Sequence, residues 1–105
     1  MNPVKLSDIK MEALAPYAGK HTHKQLLAGE IPGAEVYHYD MPAGDTLHFD
    51  GKTELIRIFF LCRGNMRFEA EGKRFDYDQL AYFTAKPQSE IHITAAADSS
   101  LLEIR

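Results

Sequence analysis

The residue best suited to bind a ligand is an arginine inside an otherwise apolar run. Arg57 lies within Leu55-Ile56-Arg57-Ile58-Phe59-Phe60-Leu61-Cys62. A guanidinium is seldom buried without a partner. One interpretation is a fork that holds a carboxylate or phosphate. The alternatives are an internal salt bridge to Asp50 and an exposed position on the outside of a sheet.

Histidines supply the other candidate functional side chains. His92 stands between Ile91 and Ile93, and His48 stands close to a turn. A strand histidine is either structural or a ligand, and both interpretations stay open for these two residues. The segment His21-Thr22-His23 is a further candidate metal pair. Two exposed histidines near an N-terminus, however, commonly have no role.

Composition narrows the function classes. The 105 residues are 45% hydrophobic and 26% charged, which is ordinary for one globular domain, so we expect a single domain over 1–105. A formal net charge of -3 and scattered basic residues predict no nucleic-acid partner. We expect no membrane partner and a cytoplasmic location, since no targeting segment or membrane-length apolar run is visible. Cys62 is the single cysteine and is interpreted as a buried core residue.

Short β-strands are predicted to position these side chains. Ser7 can cap a short helix over about 8–14, which Pro16 ends. The rest of the chain consists of alternating runs bounded by turn residues, including a hairpin around Glu71-Gly72. The predicted strands are 23–27, 35–41, 46–50, 55–62, 66–70, 74–77, 80–84, 90–94 and 101–104. Such a series predicts an all-β sandwich or barrel.

The order of these turns and strands resembles the cupin superfamily. The resemblance rests on Pro42-Ala43-Gly44, His48-Phe49-Asp50, the strand ending at Arg63-Gly64, the hairpin, and Pro87 followed by His92. It covers 34–105 and leaves 1–33 as an N-terminal extension with the first strand. It implies a double-stranded β-helix, the cupin or jelly-roll barrel, with a short N-terminal helix. Cupins include metal-dependent enzymes as well as sugar-binding and sensory domains, so the fold does not select a function.

The first cupin motif, G-x5-H-x-H-x3,4-E-x6-G, fits this sequence in two registers. The first register anchors the glycines at Gly44 and Gly64, and every spacing is kept. The ligand positions then hold Asp50, Lys52 and Arg57. The resemblance therefore implies a degenerate metal site, because the two cations have no lone pair to give a metal.

The second register anchors the ligand types instead. It takes His48, Asp50 and Glu54 as H-x-H-x3-E, with a longer stretch before the next motif glycine. The second motif, P-x-G-x2-H, adds His92 in either register. This set implies a divalent first-row metal, with the H-x-H side chains pointing into the barrel. We favour the first register, because residues 57–64 resemble the strand of the family with Arg in place of Glu.

Two function hypotheses follow. The leading one is a small-molecule-binding domain with a degenerate metal site. Its ligand is a sugar acid or other small carboxylate held by Arg57 and His92, with Asp50 and Lys52 near the mouth. The competing one is a metal-dependent isomerase, lyase or dioxygenase that uses the second-register ligands. An assembly module with an inert barrel is a third. The long strand is apolar on both faces, which predicts a homodimer.

Overall fold

The protein folds into two antiparallel β-sheets. The structure, a computed structural model, describes residue 5 and residues 12–13, 22–26, 33, 35–51, 56–78 and 80–105. The six-stranded sheet has the order β1-β2-β3-β10-β5-β8, and the four-stranded sheet has the order β4-β9-β6-β7. Within the described residues there is no helix long and apolar enough to cross a membrane. The strands are β1 (Glu12–Ala13), β2 (Thr22–Leu26), β3 (Val36–Met41), β4 (Thr46–Phe49), β5 (Arg57–Arg63), β6 (Met66–Ala70), β7 (Lys73–Tyr77), β8 (Ala81–Ala85), β9 (Ile91–Ala95) and β10 (Ser99–Ile104).

The strand predictions are confirmed along the described chain. Each predicted strand has an observed counterpart whose ends lie within about two residues. The predicted hairpin is also present: Ala70 pairs with Lys73 across a turn in which Glu71 and Gly72 have φ of 53° and 73°. Positive φ at both central residues is the type I′ geometry that matches strand twist. The helix predicted over 8–14 falls mostly outside the described residues; of that segment, Glu12–Ala13 forms β1.

The hydrophobic core lies between the two sheets. Alternate residues of a strand point to one face, so each sheet contributes one side of this layer. Phe59 of β5 lies 5.5 Å from Phe49 of β4 and 6.5 Å from Phe68 of β6, measured between ring centroids. The other buried apolar side chains are Tyr39, Met41, Leu47, Leu61, Met66, Ala85, Ile91, Ile93, Ala95 and Leu101.

The two glycines that anchor the first motif register occupy positions that favour glycine. Gly44 and Gly64 have φ of 86° and 101°, in the left-handed region. A Cβ on Gly64 would also overlap Ser99 and the backbone of Asp98. Gly64 directly follows β5, and Arg57, the first residue of that strand, lies on its inward face.

One prediction about β5 is wrong. The sequence predicts that Cys62 is a buried core residue, but it is exposed. Phe59 and Leu61 take the inward positions of the strand, so Cys62 points outward with Phe60. The run is apolar on both faces, and its alternation contains no polar residue that would have marked the outward face.

Candidate functional site

A cluster of charged side chains lies inside the barrel, between the two sheets. We call Tyr39, Arg57, Glu103 and Arg105 the interior cluster. The Glu103 side chain is 0% exposed and stands on the inward face of β10. The Tyr39 hydroxyl donates a hydrogen bond to Glu103 Oε1 at 2.5 Å, and Arg105 Nε donates one to Oε2 at 2.9 Å. Arg57 Nε lies 3.3 Å from Oε2 as an ion pair that does not reach hydrogen-bonding geometry.

Both arginines of the interior cluster also pack against aromatic rings. The Arg57 guanidinium lies 4.6 Å from the Phe49 ring centroid, and that of Arg105 lies 4.5 Å from the Tyr37 centroid. Burial by itself lowers the pKa of Arg105. The hydrogen bond and charge of Glu103 outweigh burial and raise that pKa above its ordinary value. The guanidiniums of Arg57 and Arg105 thus lie around one buried carboxylate.

The described residues of the interior do not fit the metal that the cupin resemblance implies. The buried polar and charged residues of the described chain are Asp45, Arg57, Ser99, Ser100 and Glu103, and none of them is a histidine. Glu103 already accepts hydrogen bonds from Tyr39 and Arg105. A guanidinium cannot donate a lone pair, and its charge repels a metal cation. The inward positions next to His48 and His92 hold apolar side chains such as Phe49 and Ile91.

A second cluster lies on the outward face of the four-stranded sheet. We call His48, Glu90 and His92 the outer cluster. His48 and His92 are cross-strand partners on β4 and β9, and their rings stack at 4.2 Å with an interplanar angle of 9°. Glu90 Oε1 lies 2.9 Å from His48 Nε2 and 3.2 Å from His92 Nε2. All three side chains are exposed, at 48%, 60% and 53% respectively.

The two histidines of the outer cluster stabilise the charged form of Glu90. The hydrogen bonds to His48 and then His92 lower the pKa of Glu90 below its ordinary value. One ligand atom from each of the three residues lies within 4.8 Å of the others. Imidazole nitrogen and carboxylate oxygen are common ligands of first-row divalent metals, so the donor set of the outer cluster fits such an ion.

A groove opens beside His92, at the end of the sheet where the β6–β7 hairpin meets the turn before β9. Its volume is about 820 Å³, and it is open to solvent. A neighbouring cavity of about 140 Å³ is lined by Phe75 and Phe83, where the edges of the two sheets approach each other. The charged residues that line the groove are Glu69, Glu71, Lys73, Arg74, Lys86 and Glu90. The groove thus offers hydrogen-bond donors and acceptors of both charges.

The structure places the sequence-predicted site residues in two separate locations. Arg57 is inside the barrel, and its buried partner is Glu103 rather than the Asp50 considered above. His48 and His92 are brought together, but on the outward face, so the four-stranded sheet stands between them and Arg57. Asp50 is exposed after β4.

Lys52 and Glu54, which complete the two motif registers, lie outside the described residues.

Tyr39 and three charged residues of these clusters were not predicted from the sequence. Glu103 is a single carboxylate in the apolar run Leu101-Leu102-Glu103-Ile104, which is the same signal that identified Arg57. Arg105 stands two residues further on, and Glu90 two residues before His92. Residues two apart in a strand share a face, so this spacing was the available signal for both.

Solved structures of known proteins resemble this fold closely. A predicted oxalate decarboxylase from Thermotoga maritima superposes with a TM-score of 0.85 at 17% identity, over 98% of this chain and 96% of that one. KdgF from Halomonas sp. gives 0.79 at 14% identity, over 95% and 89%. A cupin-2 domain from Rhodospirillum rubrum gives 0.80 at 14% identity, over 98% and 72%.

These similarities identify the fold. No family model matches the sequence, and no curated protein matches it. The chain has the cupin fold, as the order of its turns and strands predicted. At these levels of identity the comparison concerns the fold, and the activities of the three proteins are their own.

Proposed function

We propose that this cupin is a small-molecule-binding domain whose ligand, a sugar acid or another small carboxylate, occupies the groove beside His92. The observation that carries the proposal is the lining of this groove, which is about 820 Å³ in volume and has Lys73, Arg74 and Lys86 within it. Clefts of roughly 300–1,000 Å³ are the usual size for small-molecule sites.

The mixed charge of the groove supports a ligand with both a carboxylate and hydroxyl groups. Ammonium and guanidinium groups donate to a carboxylate, and Glu69 and Glu71 on the groove wall accept hydrogen bonds from hydroxyls. One structural neighbour is described as a predicted oxalate decarboxylase, and oxalate is itself a small carboxylate.

We propose Arg57 as a second contact for an anion, inside the barrel and near the small cavity that adjoins the groove. Its cross-strand partner on β8 is Ala85, which lines the cavity of about 140 Å³ next to the groove. The Arg57 side chain is 11% exposed. Glu103 is shared between Arg57 and Arg105, and Arg105 also pairs with Glu35 at 3.6 Å. Within the described residues Arg57 Nε makes no hydrogen bond, so it is the donor of the interior cluster that an anion can use.

Melting curves with and without ligand test the site. Untagged protein in EDTA is heated with gluconate, galacturonate or oxalate, and with neutral glucose as the uncharged control. We expect acids to raise the Tm and glucose to leave it unchanged. Lys86→Gln should remove the shift, and Arg63→Gln, an exposed cation at the far end of β5, should retain it.

The variants separate the two proposed contacts. If Arg57→Leu removes the shift while Lys86→Gln keeps it, the ligand binds inside the barrel and the groove proposal is wrong. If no acid among the three stabilises the protein at millimolar concentration, a small carboxylate is not its ligand.

The competing function, a metal-dependent isomerase, lyase or dioxygenase, is favoured by one observation, the outer cluster. Its donor set includes His48 and His92, two of the ligands that the second motif register implies. In this alternative the metal would hold the substrate at the edge of the groove. An acid-induced Tm shift that requires added metal instead of EDTA would favour the enzyme over the metal-free binding domain.

We also propose that two copies associate through the outward face of the six-stranded sheet. This face carries Phe60 and Cys62 with Leu102, and it continues to Leu80 and Tyr82, which are 85% and 70% exposed. The side chains that line this patch carry no charge, so two identical copies can meet there without repulsion. Leu80→Lys should convert a dimer to a monomer in light scattering. A wild-type monomer at tens of micromolar would refute the proposal.

A further inference from the structure

We propose that the outer cluster binds one divalent first-row transition metal on the solvent-facing side of the four-stranded sheet. The ligands are His48 Nε2, Glu90 Oε1 and His92 Nε2. This site lies on the opposite face of the sheet from the barrel interior, where the cupin resemblance implied a metal. It deepens the competing metal-dependent function, which also uses the outer cluster, and it is independent of the proposed carboxylate site because metal binding here needs no organic ligand.

Two of the three donor separations are slightly shorter than those of a zinc coordination sphere, and all three donors lie within 4.8 Å of one another. Imidazole nitrogen and carboxylate oxygen lie about 2.0–2.2 Å from a bound zinc ion, which places neighbouring donors about 3.3–3.6 Å apart in a tetrahedral site. Glu90 Oε1 lies 2.9 Å from His48 Nε2 and 3.2 Å from His92 Nε2. An ion can therefore replace the hydrogen bonds of the outer cluster with small side-chain rotations.

The backbone around the ligands is held in place before any ion arrives. His48 and His92 are fixed opposite each other by the ladder between β4 and β9. Glu90 precedes β9 and packs against Gly51, where an added Cβ would lie 3.0 Å from the Glu90 backbone nitrogen. A site held by two strands and one close backbone approach loses little conformational entropy when it binds a metal.

The donor set selects the class of metal. Two imidazoles and one carboxylate suit Zn²⁺, Co²⁺, Ni²⁺ and Cu²⁺, whereas Mg²⁺ and Ca²⁺ prefer oxygen ligands alone. Because all three side chains are about half exposed, the remaining coordination positions face solvent and the adjoining groove. Water completes the coordination sphere, and an anion in the groove can take its place.

The test measures binding of the metal alone to untagged protein that has been stripped with EDTA. Titration with Zn²⁺ by calorimetry, and with Co²⁺ by visible absorption, should each show one equivalent bound. We expect His48→Gln, His92→Gln and Glu90→Gln each to weaken binding at least about tenfold, as the loss of one ligand does. Circular dichroism shows whether each variant is folded.

Two controls make the result specific. Asp76→Asn removes an exposed carboxylate from β7 of the same sheet and should bind metal as the wild type does. The double variant His21→Gln/His23→Gln removes the rival histidine pair of the sequence and should also bind normally.

Three results would overturn the proposal. The first is no uptake of Zn²⁺ or Co²⁺ at a metal concentration of about 100 micromolar, which would partly fill even a weak surface site. The second is binding that survives in folded His48→Gln and His92→Gln proteins. The third is binding that disappears only in the His21→Gln/His23→Gln protein. None of these results depends on whether a carboxylate occupies the groove, so this proposal and the proposed function fail separately.

Discussion

The interior and outer clusters each contain one carboxylate between two nitrogen-containing side chains, and the two clusters differ in their exposure to solvent. Glu103 is fully buried and is contacted by a tyrosine hydroxyl and two guanidiniums. Glu90 is exposed and contacts two imidazoles whose rings also face solvent. A buried charge must be matched by its neighbours, whereas water can serve an exposed one. The interior cluster is therefore expected to support the fold, and the outer cluster to be available to a ligand.

The largest expected effect comes from removing the buried carboxylate. Glu103→Gln leaves Arg57 buried without an opposite charge, and breaking a buried pair in this way costs about 3–5 kcal/mol of unfolding free energy. Urea denaturation measures the change. Glu90→Gln is the matched control, with the same substitution at the exposed carboxylate, and should leave the urea midpoint close to that of the wild type.

Equal losses of stability in these two variants would contradict the difference expected between a buried and an exposed carboxylate. They would mean that the outer cluster contributes as much to the fold as the interior one, despite its exposure.

A feature of this molecule could be predicted from the sequence when it depends on residues that are close together in the chain. The strands were predictable because each is a short alternating run between turn residues, and the type I′ hairpin needs only its two central residues. Arg57 was recognised because a lone cation in an apolar run is conspicuous. Its partner was not, because Glu103 meets it only when β10 pairs with β5. Chain-distant partners of this kind are set by the packing of the sheets.

The outward position of the histidines had a local signal that motif matching concealed. His92 lies between Ile91 and Ile93, and both isoleucines are in the core. In an alternating strand the residue between two core side chains must face away from the core. His48, between Leu47 and Phe49, follows the same rule. The alternation of apolar and polar residues therefore predicts the face of the sheet on which each histidine lies. The motif spacing predicts only the strand that carries it.

An intermediate effect is expected at Arg57 itself. In Arg57→Leu the buried carboxylate keeps Tyr39 and Arg105, so we expect a loss of about 1–2 kcal/mol, below that of a fully unpaired buried charge. Arg57→Glu should destabilise more, because it places a second carboxylate beside Glu103 in a site of low dielectric. Chemical denaturation of the two variants side by side measures the difference.

The order of these two substitutions is the informative result. If Arg57→Glu proves as stable as Arg57→Leu, the introduced side chain has turned to solvent, and Arg57 is not fixed in the interior as the structure shows. A gain in metal affinity in Arg57→Glu would show instead that the two carboxylates share an ion within the barrel.

The smallest expected effect is the pH dependence of the outer cluster. The pKa of Glu90 is lowered in the folded protein, chiefly by its hydrogen bonds to His48 and His92. A lowered pKa adds stability above the unfolded-state value, and this is lost as the pH falls through the folded-state value. In EDTA, the Tm of the wild type should slightly exceed that of Glu90→Gln near neutral pH, and the gap should close on acidification toward pH 3, roughly a unit below the ordinary carboxyl pKa. Because Glu90 is exposed, solvent screening keeps this gap small.

The Glu103→Gln deficit in Tm is measured over the same pH range and should stay large wherever the wild type remains folded. A Glu90→Gln gap that widens as the pH falls through the range in which carboxyl groups titrate, roughly pH 5 to 3, would have the wrong sign for a lowered pKa. The hydrogen bonds of the outer cluster would then not be those that hold Glu90 in solution.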